Sequence, residues 1–564
     1  MPAVPARRGE GCSSRYRRTL AIGFAFLIGT GGRAALAQES PELPSKARTE
    51  GESTTEDQIR FYKGKGPGRG NSYVERYEED YSYLRDPARS SDFFDPLKFI
   101  PLGAEGEVYL TLNGEARFRY DDTDHRNFAI ATAATPARTA GARPTLTPAT
   151  EVSTNQLYKQ RYALGADLHL GPNVRFYADL YDGQQTGHRV GPTIPGNQRD
   201  ALGLVNGFGE VYGILGDAKT GFRAGRQEIF FGNNLQVRAN VATNLPSPVF
   251  DGFRAYRDWG PARVDAFAYN LVQFVDGILQ DRDNPHVNLW GVYGSYDLPK
   301  AVPLGLEART SLEPFYLGWR ASPFAGGRGA GIYNDRALLT GGRVVAATGA
   351  CFIASQDHRE TFGLRAYGAI GDADYDWQGA YQTGSYAGLR VDAFAFNTDT
   401  GYTFHGVPWK PRLGVHIDRA SGGADRTGGT LHTYQPMYPN TQYYVPNNEF
   451  APTNFYDIAP RISLAPTETV TAEYYYSWLW RYSESDAIYI GAPWPGAQGQ
   501  NNYAVTALLP GRSIGRQSDF RVTWAITPHL LALGEIGIFY PGSALRAAGG
   551  RVTTFLDANL TFKF

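Results

Sequence analysis

The 564-residue sequence predicts an all-β protein: a closed transmembrane antiparallel β-barrel of about 18 strands, with short periplasmic turns and long extracellular loops. Three observations predict it. Apolar and polar residues alternate over segments of about ten or more residues, which gives a sheet one apolar and one polar face. Short turns and long polar loops take turns down the chain, a segregation that a soluble sandwich has no reason to show. The composition is only 42% hydrophobic yet 13% aromatic, with 66 Gly, 36 Tyr and 31 Phe, and mean hydropathy is -0.37. Only alternate residues of such a wall touch hydrocarbon, so a membrane protein of this kind is not apolar overall. A helical membrane protein, which needs runs of about 20 apolar residues, is excluded. So are a disulfide scaffold, with 2 Cys, and a basic nucleic-acid binder, with a formal net charge of -1.

Taken in order, residues 1–37 read as a secretory signal peptide. Arg15, Arg17 and Arg18 precede an apolar run from Leu20 to Ile28, and Ala35-Leu36-Ala37 is a small-x-small cleavage site. Cleavage near Ala37 removes Cys12 and leaves Cys351 without an intrachain partner. Residues 38–104 read as an N-terminal periplasmic segment, with a flexible stretch at Gly64–Gly70, and residues 105–564 as the barrel.

The first barrel strand shows the alternation most clearly. Val108, Leu110, Leu112, Ala116, Phe118 and Tyr120 share one face; Tyr109, Thr111, Asn113, Glu115, Arg117 and Arg119 share the other. The second sets Tyr162, Leu164, Ala166 and Leu168 against Lys159, Arg161, Asp167 and His169; the third sets Phe176, Ala178 and Leu180 against Arg175, Tyr177 and Asp179. Strands are expected at 106–121, 156–171, 173–185, 204–216, 219–231, 249–258, 261–273, 287–298, 304–319, 357–370, 373–384, 387–404, 411–419, 455–465, 468–483, 513–526, 529–541 and 551–564. Gly171-Pro172, Gly216-Asp217, Gly260-Pro261, Leu298-Pro303, Gly371-Asp372, Ala465-Pro466 and Thr527-Pro528 read as tight turns. Loops are expected at 122–155, 186–203, 232–248, 274–286, 320–356, 420–454 and 484–512, with only the 385–386 connection short where a long one is due. The last strand alternates down to a terminal Phe564, the pattern that barrel-assembly machinery is taken to read.

No catalytic motif stands out. HExxH, GxSxG and CxxC are absent, and the 9 His show no metal-ligand spacing. No catalytic residue, metal or cofactor is expected. Arg117, Arg119, Lys159, Arg161, Arg175, Arg254, Arg481 and Arg521 fall on polar faces by alternation and are candidate pore-lining residues. Either they pair with lumen acids such as Glu115, Asp167, Asp179, Glu473 and Asp519, or they form a cationic ladder for an anionic solute, since the guanidinium fork binds carboxylates bidentately. The segment 225–234, GRQEIFFGNN, breaks the alternation: in a regular strand Arg226 and Glu228 would face lipid. A bulge, or a strand end turning inward, would relieve this and place Arg226 at the pore wall.

Several of these segments resemble the alginate export family of outer-membrane porins. The resemblance rests on EDYSYLRDPARSSDFFDPLKFIPLG (Glu79–Gly103), LNGEARFRYD (Leu112–Asp121), GRQEIFFGNN (Gly225–Asn234), FDGFRAY (Phe250–Tyr256), WRYSESDAIY (Trp480–Tyr489), IGRQSDF (Ile514–Phe520) and YPG (Tyr540–Gly542). It implies an eighteen-stranded barrel that passes a uronate-rich polysaccharide through an electropositive constriction. On matching motifs it also implies Arg117, Arg119, Arg226, Arg254 and Arg481 as lining residues.

The expected function is therefore a non-enzymatic Gram-negative outer-membrane channel that exports an anionic, alginate-like polysaccharide through an Arg-lined lumen. Outer-membrane lipid, the assembly machinery and periplasmic polysaccharide-secretion proteins are the expected partners, and no nucleic acid is. The rival readings are an uptake porin for small anionic or sugar solutes and, of another class, a secreted carbohydrate-active enzyme.

Overall fold

The computed structural model describes residues 76–103, 106–129, 154–188, 198–216, 220–232, 236–237, 244–246, 248–322, 356–386, 389–425, 429–439, 452–486, 488–490, 503–505 and 511–564. The expected signal peptide, the Gly64–Gly70 stretch, Cys351 and most of the loops 122–155 and 320–356 lie outside them.

Eighteen long antiparallel strands run through the described residues: β1 Val108–Asp124, β2 Asn155–Leu170, β3 Val174–His188, β4 Asp200–Tyr212, β5 Thr220–Gln227, β6 Phe250–Asp258, β7 Ala262–Gln273, β8 Arg282–Asp297, β9 Ala308–Ala321, β10 Asp357–Ile370, β11 Ala373–Tyr386, β12 Leu389–Thr403, β13 Arg412–Ala420, β14 Phe455–Leu464, β15 Val470–Arg481, β16 Ser513–Thr527, β17 Leu530–Pro541 and β18 Thr553–Lys563. Each pairs with its neighbours in sequence, and β1 pairs with β18 in the register Glu115↔Lys563 to Asp124↔Thr554. The sheet therefore closes. No strand edge is left open at mid-height, as a wall in hydrocarbon requires, because lipid cannot satisfy free N–H and C=O groups.

Every expected strand is found. The termini differ by a few residues, most at 287–298, where the strand starts at Arg282, at 204–216, where it runs from Asp200 to Tyr212 and its expected end becomes a turn, and at 219–231, which stops at Gln227. Alternation sets the faces. Phe118, Leu164, Phe176, Phe253, Phe362, Trp478, Phe520 and Ile536 are all exposed on the outer wall. On the same strands, at positions of the other parity, Arg117, Arg161, Asp179, Arg254, Thr361, Ser477, Asp519 and Glu535 are buried inside. Charge is inward and hydrocarbon-like surface is outward, the reverse of a soluble protein.

The N- and C-terminal ends of the wall lie at the short-turn end, which is the periplasmic end of such barrels. There β18 is too short to cover all of β1. Phe564 pairs with Gly114, and beyond it Ile100↔Leu110 and Pro101↔Tyr109 complete the edge. Gly114 leaves room for the Phe564 ring, which a Cβ at this point would displace. The chain before Ile100 folds over the seam. Phe94 stacks on Phe564 at 5.1 Å, His529 meets Asp92 at 2.8 Å, and Arg76 donates to the terminal Phe564 oxygen.

Candidate functional site

The lumen wall is the candidate site, and the strands place its side chains by period 2 alone. Of the nine cations singled out from the sequence, eight point inward and each meets a carboxylate or a carbonyl. Arg161 Nε donates to Glu115 at 2.6 Å, Lys159 contacts Asp121 at 2.6 Å, and Arg119 bridges Asp121 and Asp557. Arg175 holds Glu210 and, at 3.4 Å, Asp167. Arg254 meets Asp265 at 2.7 Å and Arg521 meets Glu535 at 2.9 Å. Arg117 donates to the Asn244 carbonyl at 3.2 Å, and Arg481 donates to carbonyls of Glu484, Asp486 and Gly511.

The ninth, Arg226, is a correction. Arg223 and Gln227 on the same strand are inward and buried, so Arg226 between them lies on the outer face with Phe222. It pairs there with Asp251 of β6, Nε and Nη2 each at 2.8 Å. The strand stays regular one residue further than a pore-wall position needed. Glu228 does turn inward, where its backbone N–H donates to Asn206 and its carboxylate accepts from the Asn206 amide at 3.0 Å.

Of the counter-acids, Glu115 and Asp167 take guanidinium partners. Asp179 accepts from the Asn206 backbone and side chain at 2.7 and 3.0 Å, and Glu473 accepts from the Ser463 hydroxyl. Further cations share the lumen that the motif reading passed over. Arg359 meets Asp357 at 2.9 Å, Arg365 meets Asp376 at 2.7 Å and Glu313 at 3.0 Å, and Arg223 meets Glu210 at 3.0 Å. Alternation within 357–370 could have found Arg359 and Arg365. The wall is thus a lattice of opposite charges rather than a bare cationic ladder.

The interior is not an empty bore. At the long-loop end three stretches enter it. Ile229, Phe231 and Val237 from the β5–β6 connection pack on Phe267, Tyr269, Tyr293 and Phe315 of the wall. Tyr434, Met437 and Tyr438 from the β13–β14 connection join the same cluster. Tyr438 accepts from Trp319 Nε1 at 3.2 Å, and its backbone bonds to Gln236 at 2.8 Å, so the two stretches meet inside. Arg359 and Gln382 donate to the Thr433 and Gln435 carbonyls, each at 3.0 Å, which pins the second stretch to the wall. Asn244 receives Arg117 and Arg161 together. Asp486 accepts from Gly423 N–H and Thr433 Oγ1, both at 2.7 Å, and draws in the β15–β16 connection.

At the periplasmic end, Tyr77 inserts between Tyr177, Phe208 and Arg223, and its hydroxyl donates to the Glu228 carbonyl at 2.9 Å. Burial first, and the Glu79 carboxylate next, hold the Tyr81 hydroxyl well above its ordinary value, so it stays a donor to Glu79 at 2.9 Å. A cavity of about 590 Å³ opens between this segment and the wall, bordered by Tyr77, Glu79, Arg85, Tyr109, Arg175 and Tyr256.

One trio among the described residues has metal-ligand geometry: His416, Asp418 and Asp457, all buried. Arg461 Nη2 lies 2.9 Å from His416 Nδ1 and can only donate, so the neutral ring carries its proton at Nε2, facing Asp457 at 2.9 Å.

The structure is similar to several solved outer-membrane proteins at low identity. The chain is 11% identical to Pseudomonas aeruginosa OpdQ, covering 81% of this chain and 97% of that one, with a TM-score of 0.47. It is 9% identical to Pseudomonas aeruginosa OpdK, solved with vanillate, covering 81% and 98%, with a TM-score of 0.47. It is 12% identical to Acinetobacter baumannii OccAB2, covering 80% and 98%, with a TM-score of 0.46. No curated protein matches the chain. The family model for alginate export matches residues 137–559, most of the wall from the β1–β2 connection to β18. An outer-membrane channel with a closed eighteen-stranded wall and a charged lumen, this chain belongs to the alginate export family.

Proposed function

We propose that the channel exports an acidic polysaccharide, a polymer whose carboxylates travel along the lumen guanidinium groups. Family membership is the observation that carries this reading. The paired lumen supports it chemically. A fork held by one carboxylate can hand over to another at little cost, so Arg161, Arg175, Arg254, Arg365 and Arg521 offer successive exchange sites. Transport needs sites weak enough to release, and a partner already in place weakens each one. The channel itself carries out no bond chemistry. Residues 38–104 are proposed to face the periplasm, where polysaccharide-secretion proteins would deliver the polymer, and the chain is proposed to arrive there after cleavage near Ala37.

A second reading, an uptake channel for small anionic or sugar solutes, is favoured by one observation: the stretches around Phe231 and Tyr438 fill part of the lumen. Gene deletion separates the two. Export predicts that acidic polysaccharide disappears from the medium and accumulates in the periplasm, with rescue by the full-length chain. Unchanged polysaccharide with lost uptake of a small solute would establish the second reading instead.

A further inference from the structure

The wall has a notch at the extracellular end. β5 stops at Gln227 and β6 starts at Phe250, while β4 extends beyond them to Asp200 and β7 to Gln273. The loop after β7 crosses this notch and pairs with the free edge of β4: Ile278 bridges Leu202, and Leu279 N–H donates to the Leu202 carbonyl at 2.8 Å.

Two carboxylates meet at that crossing. Asp200 accepts from Gly277 N–H at 3.0 Å, and Asp281 accepts from Val275 N–H at 2.8 Å, each through Oδ1. Among the described residues the Oδ2 atoms of both are buried with no hydrogen-bond partner, and Asp200 is 0% exposed. Both point into the space in front of Gly203, where a Cβ would lie 2.5 Å from Asp200 Oδ2 and 2.9 Å from Asp281 Oδ2. The nearby cation, Arg226, is committed to Asp251 and the Leu204 carbonyl. Two anionic oxygens facing each other in a buried space repel and lack solvation.

We propose that Asp200 and Asp281 bind a calcium ion in front of Gly203, which staples loop 274–281 to the edge of β4. Calcium fits because it takes carboxylate oxygens in irregular geometry and completes a shell of six to eight with carbonyls and water, whereas magnesium demands a near-octahedral site. The side chain missing from Gly203 is what leaves room for the ion. The site stands apart from the cargo and would persist under either functional reading.

The test uses the full chain in detergent, stripped with EDTA and titrated with calcium chloride by calorimetry. Heat-modifiable migration verifies that each variant is a barrel. The wild type should bind one more calcium than Asp281→Asn, Asp200→Asn or Gly203→Ala, the last because its methyl fills the cradle. Trypsin cleavage after the exposed Arg282 gives a second readout. At calcium ten times the Kd, cleavage of the wild type should slow about tenfold relative to EDTA, and cleavage of the Asn variants should not change. Equal stoichiometry in wild type and variants, or cleavage of the wild type indifferent to calcium, overturns the site and leaves a shared proton between the two carboxylates. Should a variant not assemble, the wild-type comparison decides alone.

Discussion

Arg161 and Glu115 show how the lumen charges act one residue at a time. Both are buried, so neither charge is compensated by water; Glu115 has Lys563 at 3.4 Å as a second cation, and Arg161 has the Asn244 carbonyl at 3.2 Å as a second acceptor. Removing Arg161 takes away the closer of the two cations on Glu115 and leaves it the longer contact to Lys563. Arg161→Met should therefore lower stability by up to about 3 kcal/mol, below the full cost of an uncompensated buried charge, read as a lower temperature for the heat-modifiable band shift. Arg226 and Asp251 lie on the outer face with side chains 12% and 25% exposed. Arg226→Ala should cost less than Arg161→Met by the same measurement, because Asp251 keeps a quarter of its surface open; an equal cost would show that the outer-face pair is as dependent on its partner as the lumen pair. The sequence made the inward set legible because period 2 needs no tertiary information: a residue two along from Arg117 must share its face. It could not reveal partners, since Arg119 with Asp557 joins the two ends of the chain. Nor could it settle Arg226, whose side depends on where one strand stops.

The elements divide into those the pattern dictates and those that tertiary contacts dictate. All eighteen strands were legible, because each carries its own alternation and its own turn residues. The infolded stretches were not. Phe231, Val237, Tyr434 and Tyr438 have no period, and their burial depends on an apolar patch inside β7, β8 and β9 that the inward-polar rule does not anticipate. Double substitution of Arg359→Met and Gln382→Leu removes the pins on the Thr433 and Gln435 carbonyls. Single-channel current should rise, with more frequent transitions; an unchanged current would show that the stretch does not constrict the path. The seam segment was legible as a motif but not as a cover. Phe94→Ala removes its stack on Phe564, and Asp92→Ala its contact with His529. The variant barrel should still assemble, while trypsin cleavage at Arg85 and Arg89 accelerates. Equal cleavage in wild type and variant would mean that these contacts do not hold the segment.

At the scale of the whole molecule, one constraint organises everything: the wall must be closed in lipid and wet within. Closure follows from β1 meeting β18, and the outward Phe, Leu and Trp side chains follow from the solvent they face. A charged side chain turned to mid-membrane costs about 2–4 kcal/mol, which is why the lumen collects the charge. What the lumen then does with that charge is the central claim, and planar-bilayer recording of the full chain with oligouronates added on one side tests it most directly. The expected result is current interrupted by oligouronates, with blocks that lengthen as the oligomer lengthens, while neutral oligosaccharides of the same size pass without comparable blocks. Blocks that are absent, or equal for charged and neutral oligomers, would contradict a path built from exchanging guanidinium–carboxylate pairs.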